Sequence, residues 1–229
     1  MSARSVFLVE ADANACHSIA CLLKAEGISV QTFHSSLEFL GSCHPEMCGC
    51  LVLNVELPSM TGLKVRSLAV DAGCDLPFLM IGVPNGISQV TEAMRQGAVD
   101  FLPDPIDAAS LVTRVRECFD IDEKNRLKRT VLSETQSTID ALTKREREVF
   151  ELVVGGKLSK QIGKLLGIST STVEVHRFNI TRKFGVSSMA EVLLIMAKYN
   201  MLNGFSEFNF APHISFGAAR KAGQIRSTR

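Results

Sequence analysis

No run of this 229-residue chain is apolar and long enough to cross a bilayer, and its first residues enter a strand-like segment without a signal-peptide pattern. A membrane association is therefore not expected, and a cytoplasmic location is. Cysteine is missing from the second half: Cys16, Cys21, Cys43, Cys48, Cys50, Cys74 and Cys118 all lie in the first, and an odd number fits poorly with a disulfide framework. Reduced thiols are the expectation. Cys43-His44, Cys48 and Cys50 crowd together but lack C-x2-C spacing, so they read either as a metal or redox cluster or as small apolar residues, with Cys50 opening a strand. The chain also has no internal repeat, no nucleophile-base pair and no phosphate-cradling Gly-rich loop. Neither an enzyme, nor a cofactor, nor a bound metal is expected from it.

What is present is unevenly shared. Residues 1–120 hold 7 Lys+Arg against 14 Asp+Glu, while residues 121–229 hold 18 against 10, so a net charge of +1 conceals an acidic half and a basic one. Two domains follow, and only the second has the charge to meet a polyanion.

In the first half, apolar runs at Val6–Val9, around Val30, at Leu51–Val55, at Phe78–Ile81 and at Phe101–Leu102 alternate with helical periodicities. Five such alternations predict a doubly wound parallel sheet covered on both faces. Sites in such sheets form where strands end, which selects Glu10, Ala11 and Asp12, then Asn54, Gly82 and Asp104. Glu10, Asp12 and Asp104 are three acids without a fixed counter-charge, readable as a cation site or as solvated or protonated carboxyls. Residues 107–140 are helical and increasingly charged, a long helix leading to a polar tether, and Leu111, Val115 and Cys118 are expected to bury against the sheet or to pair with a second copy.

The second half opens with Thr143 and Glu146 in capping-box spacing, then Val149, Phe150 and Val153 on one helical side, ended by Gly155-Gly156. A short helix over Ser159–Leu166 should turn Ile162, Leu165 and Leu166 inward, and Gly167 breaks it into a helix-turn-helix. On the third helix Val173, His176, Ile180 and Phe184 form the expected buried stripe, with His176 a packed residue. That leaves Glu174, Val175, Phe178, Thr181 and Arg182 for a major groove, with Arg177 and Lys183 at its margins for phosphate. Lys160, Thr170, Ser171 and Thr172 complete the predicted DNA-binding set. Val175 and Phe178 suit thymine methyl groups. Glu174 suits cytosine N4, or else closes a capping box with Ser171. The helix at 189–201 is apolar on more than one side, and Val192, Ile195, Met196 and Tyr199 are the expected dimer contact. Beyond it, Phe205, Phe208, Phe210 and Phe216 stand among Gly, Asn and Ser ahead of Arg220, Lys221, Arg226 and Arg229, the pattern of a loosely ordered basic tail.

Leu142-Thr143-x-Arg145-Glu146, Ser159-Lys160-x-Ile162, Ile168-Ser169 and Thr172-Val173-x-Val175-His176-Arg177 together resemble the LuxR-type helix-turn-helix of NarL/FixJ response regulators, with Gly163 where alanine is usual. Val6 to Asp12, Leu51 to Gly62 and Gly97 to Pro105 resemble a receiver domain. The resemblance implies a five-stranded α/β receiver over 1–120, a linker with a helical start over 121–139, an all-α four-helix DNA-binding domain over 140–202 and a tail over 203–229. It also implies binding to promoter DNA as a homodimer, with RNA polymerase a further partner.

Aspartyl phosphorylation in that family needs a carboxylate nucleophile, metal-binding acids, a hydroxyl and a lysine. Here those positions hold Asn54, Ala11 between Glu10 and Asp12, Gly82 and Asp104. An amide is a poor nucleophile, and Asp104 repels a phosphoryl group that a lysine would attract. A regulator working without phosphoryl transfer is the expectation. The rival is a signalling adaptor whose altered receiver binds a protein or small-molecule partner.

Overall fold

The structure, a computed structural model, describes residues 4–204, so the predicted tail beyond them lies outside the described residues. The chain divides after Leu127 into two compact units.

In the first unit, β1 (Ser5–Val9), β2 (Ser29–Phe33), β3 (Gly49–Asn54), β4 (Phe78–Ile81) and β5 (Asp100–Leu102) form one parallel sheet in the order β2-β1-β3-β4-β5. Side chains alternate along a strand, and both faces of the sheet centre are apolar, so β1, β3 and β4 are buried runs while the edge strand β2 alternates with exposed residues. Val9, Leu51, Leu53, Phe78 and Met80 point to one face with Phe39, Val65 and Ala93. These last three come from α2 (Ser36–Ser42), α3 (Gly62–Asp71) and α4 (Ile87–Arg95). Val6, Leu8, Val52, Leu79 and Ile81 point to the other, against α1 (Ala13–Ala25) and α5 (Ala108–Asp140). Leu111, Val115 and Cys118 are buried there, which settles them as a sheet-packing stripe of α5.

Helix α5 is longer than its sequence suggested. Residues 121–139 were expected to begin as helix and give way to a polar tether, yet the helix is unbroken to Asp140. Its middle is held by side chains: Asp122 is buried and accepts from Gly49 N at 3.0 Å and Cys48 Sγ at 3.3 Å, and Arg126 Nη1 donates to the Glu46 and Met47 carbonyls.

The second unit contains the end of α5, then α6 (Lys144–Val154), α7 (Ser159–Leu166), α8 (Thr170–Lys183) and α9 (Met189–Leu202). Val149, Phe150, Val153, Ile162, Val173, Ile180, Val192 and Met196 make its core. Among the described residues no helix is long and apolar enough to cross a membrane.

Candidate functional site: a DNA-facing helix and an altered acidic pocket

The second unit is built to hold α8 rigidly. Thr143 Oγ1 and Glu146 form the full capping box that starts α6. Arg145 reaches from α6 to the Leu166 carbonyl at 2.7 Å, satisfying an orphan acceptor at the end of α7. Glu146, itself buried, accepts from Lys183 Nζ at 2.7 Å, tying the start of α6 to the end of α8. Burial alone would raise the Glu146 carboxyl, but hydrogen bonds from Lys183 and from the Thr143 N–H and hydroxyl outweigh it and hold the pKa at about 2. Gly167 in the left-handed region ends α7, and Ser169 Oγ caps α8 through Thr172 N at 3.0 Å.

This geometry corrects several sequence expectations. Lys183 is committed to Glu146 and to the Ala141 carbonyl, so its charge supports the fold instead of lying idle for phosphate. Thr181 is only 9% exposed, with Oγ1 donating to the Phe178 carbonyl, because α8 packs with that side against the core. Leu165, expected inward, is 51% exposed. The box between Ser171 and Glu174 does not form, since Ser169 is already the N-cap of α8 and Glu174 lies 3.6 Å from Arg177 instead. On α9 Val192 and Met196 fill the unit's own core, and Tyr199 donates to Gln136 Oε1 at 2.6 Å, so the expected dimer stripe is largely spent internally. The face that α9 leaves open carries Leu194, 70% exposed, with Lys198 and Met201.

The exposed side of α8 presents Ser171, Glu174, Val175, Phe178 and Arg182 at helical spacing, with Phe178 66% and Val175 56% exposed. Thr170 and Thr172 flank its start, Lys160 is exposed on α7, and Arg177 is half-buried. His176 is half-buried in the inner side, its Nδ1 without a hydrogen-bond partner among the described residues. Two large apolar side chains and a cation on one open helix face are suited to a groove lined by base edges and phosphates.

In the first unit, parallel register aligns the ends of β1, β3 and β4, which brings Glu10, Asn54 and Gly82 together. Asn54 Nδ2 donates to Glu10 Oε2 at 2.6 Å and its Oδ1 accepts from Glu56 N at 2.9 Å. Glu10 Oε1 accepts from Asp12 N at 2.9 Å, and Asp12 is occupied in capping α1 through the N–H groups of Asn14 and Ala15. Glu10 is buried, so the solvated carboxyl of the sequence reading is replaced by one satisfied from within. Asp104 is exposed after β5, before a cis bond to Pro105. Among the described residues no three of His, Cys, Asp or Glu are placed to hold a metal ion, which argues against the Glu10, Asp12 and Asp104 cation site. Gly82 has φ +111°, and a Cβ there would meet Asn54 Oδ1 at 3.0 Å, so a hydroxyl-bearing side chain is strained at this position as well as absent. Ala11 is half-buried against the core.

Comparison with known proteins matches residues 6–116 to the response regulator receiver domain and residues 140–196 to the bacterial regulatory proteins of the luxR family. The response regulator protein TodT of Pseudomonas putida is 32% identical over 190 residues, covering 83% of this chain and 84% of its own. The chain belongs to the NarL/FixJ family of response regulators. The transcriptional regulatory protein FixJ of Azorhizobium caulinodans is 31% identical over 82% of this chain and 89% of its own. The solved structure of the response regulator StyR superposes with a TM-score of 0.78 at 31% identity, covering 86% of this chain and all of that one. The family is one of DNA-binding transcription regulators, and this member combines its receiver fold and LuxR-type helix-turn-helix with an altered acidic pocket.

Proposed function

We propose that this protein binds promoter DNA through the open face of α8 and does so without aspartyl phosphorylation of its receiver. The hydrogen bond from Asn54 Nδ2 to Glu10 Oε2 carries this reading. A carboxylate at position 54 would set two negative charges side by side and call in a divalent cation. The amide removes that charge, occupies Glu10 and supplies no nucleophile. Gly82 and Asp104 withhold the hydroxyl and the cation that would steady a phosphoryl group.

In the same reading Val175, Phe178 and Glu174 meet base edges, Arg182 with Ser171, Thr170, Thr172 and Lys160 meets the backbone, and Arg177 serves both Glu174 and phosphate. Two copies bind together, the exposed apolar residues Leu194 and Met201 of α9 forming the contact in place of Val192 and Met196. Footprinting genomic DNA with untreated full-length protein tests the proposal directly. Protected sites of twofold symmetry, unchanged by a small phosphodonor and Mg²⁺, are the expected result. Protection that requires the phosphodonor and a phosphoryl adduct on the receiver would overturn it.

A further inference from the structure

Two asparagine–glycine pairs lie among the described residues, and the fold holds them differently. Asn203 is the C-cap of α9, with φ −78° and ψ −2°, and its N–H donates to the Tyr199 carbonyl at 3.0 Å. The N–H of Gly204 donates in turn to the Met201 carbonyl at 3.3 Å. Asn85 and Gly86 instead stand in the loop between β4 and α4, where residues 85–88 are all exposed. The Asn85 N–H is held by Gln89 Oε1 at 2.6 Å, but among the described residues neither the Asn85 side-chain amide nor the Gly86 N–H has a hydrogen-bond partner.

Gly86 has φ +91° and ψ 169°, a conformation that glycine alone adopts without strain. No Cβ can therefore shield its nitrogen, and beyond its chain neighbours the space where one would project is empty out to Ser88 Oγ at 4.0 Å. An exposed side-chain amide beside an open, unengaged backbone nitrogen is the arrangement in which the two react. The nitrogen attacks Asn85 Cγ, a succinimide ring closes and ammonia leaves. Water then opens the ring at either carbonyl, giving aspartate or, where the chain is rerouted through the side chain, isoaspartate. The net change is amide plus water to carboxylate plus ammonium, with no oxidant and no cofactor.

We propose that Asn85 is a self-modification site of the receiver, converting spontaneously to aspartate and isoaspartate, while the fold protects Asn203 from the same reaction. At Asn203 the attack would have to break the Gly204 hydrogen bond and unwind the end of α9. The loop at Asn85 has no such restraint. The product places a negative charge just ahead of α4, whose first turn carries no acid and whose N-cap Gly86 offers no side-chain hydrogen bond. Aspartate there complements the unpaired N–H groups of the helix start. Isoaspartate adds a carbon to the backbone between Asn85 and Gly86 and so strains the Gln89 bond that ties the loop to the helix. The loop leaves β4 through Gly82, beside Asn54, so the charge appears at the end of the sheet that holds the altered pocket.

Ageing the full chain in mildly alkaline buffer, followed by proteolysis and mass spectrometry, tests the site. Conversion at Asn85 is expected to outpace that at Asn203 roughly fivefold or more, the factor by which one hydrogen bond on the attacking N–H slows it. In the urea-unfolded chain the two rates should converge, because the following glycine is then all that sets the pace at either position. Asn85→Gln should stop the reaction, its longer side chain needing a less favourable ring, and circular dichroism checks that this variant keeps the fold. Equal rates in the folded chain, a faster Asn203, an unreacted Asn85 or a preference that persists in urea would each overturn the proposal. Hydrogen exchange over residues 86–90 reports the consequence: slower exchange in Asn85→Asp and faster exchange in the isoaspartyl fraction supports it, and identical exchange in both refutes it.

Discussion

A methyl group added at Gly163 would sit 2.8 Å from the Ile168 carbonyl oxygen, a backbone atom that cannot swing aside. Alanine is the better helix former, yet here the close approach of α7 to the turn before α8 decides the residue. Gly163→Ala is expected to lower stability by about 1–3 kcal/mol, and thermal unfolding of the full chain would show it; an unchanged or raised midpoint would contradict the contact. Glu146 makes a second case. Its pKa in the fold is about 2 against an ordinary 4.5, so its stabilisation is complete above about pH 5 and is lost as pH falls from about 4.5 towards 2. The full effect is on the order of 3 kcal/mol. Lys183→Met strands a buried carboxylate, and should cost roughly 2–3 kcal/mol at pH 7 and flatten the acid dependence. Urea unfolding between pH 3 and 7 distinguishes this from a lysine that only touches DNA, whose loss would leave the unfolding curve alone.

At the scale of elements, α8 divides its labour by face. Phe178→Ala removes a side chain that is 66% exposed, so it should change stability little and shift sequence preference, each discriminating contact being worth about 1–3 kcal/mol. Equal losses on specific and random DNA in a shift assay would mean that α8 is turned another way. In the receiver, β1 and β3 are joined at their carboxyl ends by the Asn54–Glu10 hydrogen bond. Asn54→Asp replaces it with two facing carboxylates, which should cost on the order of 2 kcal/mol or more without divalent ions and be relieved by Mg²⁺. Melting curves with and without Mg²⁺ would reveal the difference, and a variant as stable as the parent in chelator would count against the account.

Across the whole molecule, acid and base are segregated: the first 120 residues are acidic and the remainder basic. Binding should therefore come from the second half and fall steeply with salt, log K against log salt being linear with a slope set by the number of phosphates met. Leu194→Glu with Met201→Glu should leave each copy folded, weaken association of two copies and flatten cooperative DNA binding. Sedimentation of the protein on a two-half-site duplex would measure it. A complex of unchanged stoichiometry would exclude this face of α9.

The order of strands and helices, the two units and the exposure of Val175 and Phe178 on α8 were legible from sequence because each rests on local pattern: apolar periodicity, capping residues, charge and short motifs. Lys183, Thr181, Leu165, Val192 and Met196 were not. A helical repeat says which residues share a side, but not how far around that side the neighbouring helices reach, and only packing decided that Lys183 would meet Glu146 and that Leu194 would be left open. Position 54 shows both halves of the lesson. The sequence alone determined that an amide, and no carboxylate nucleophile, stands there. That the same amide would donate to Glu10 depended on parallel register bringing two strand ends within hydrogen-bonding distance.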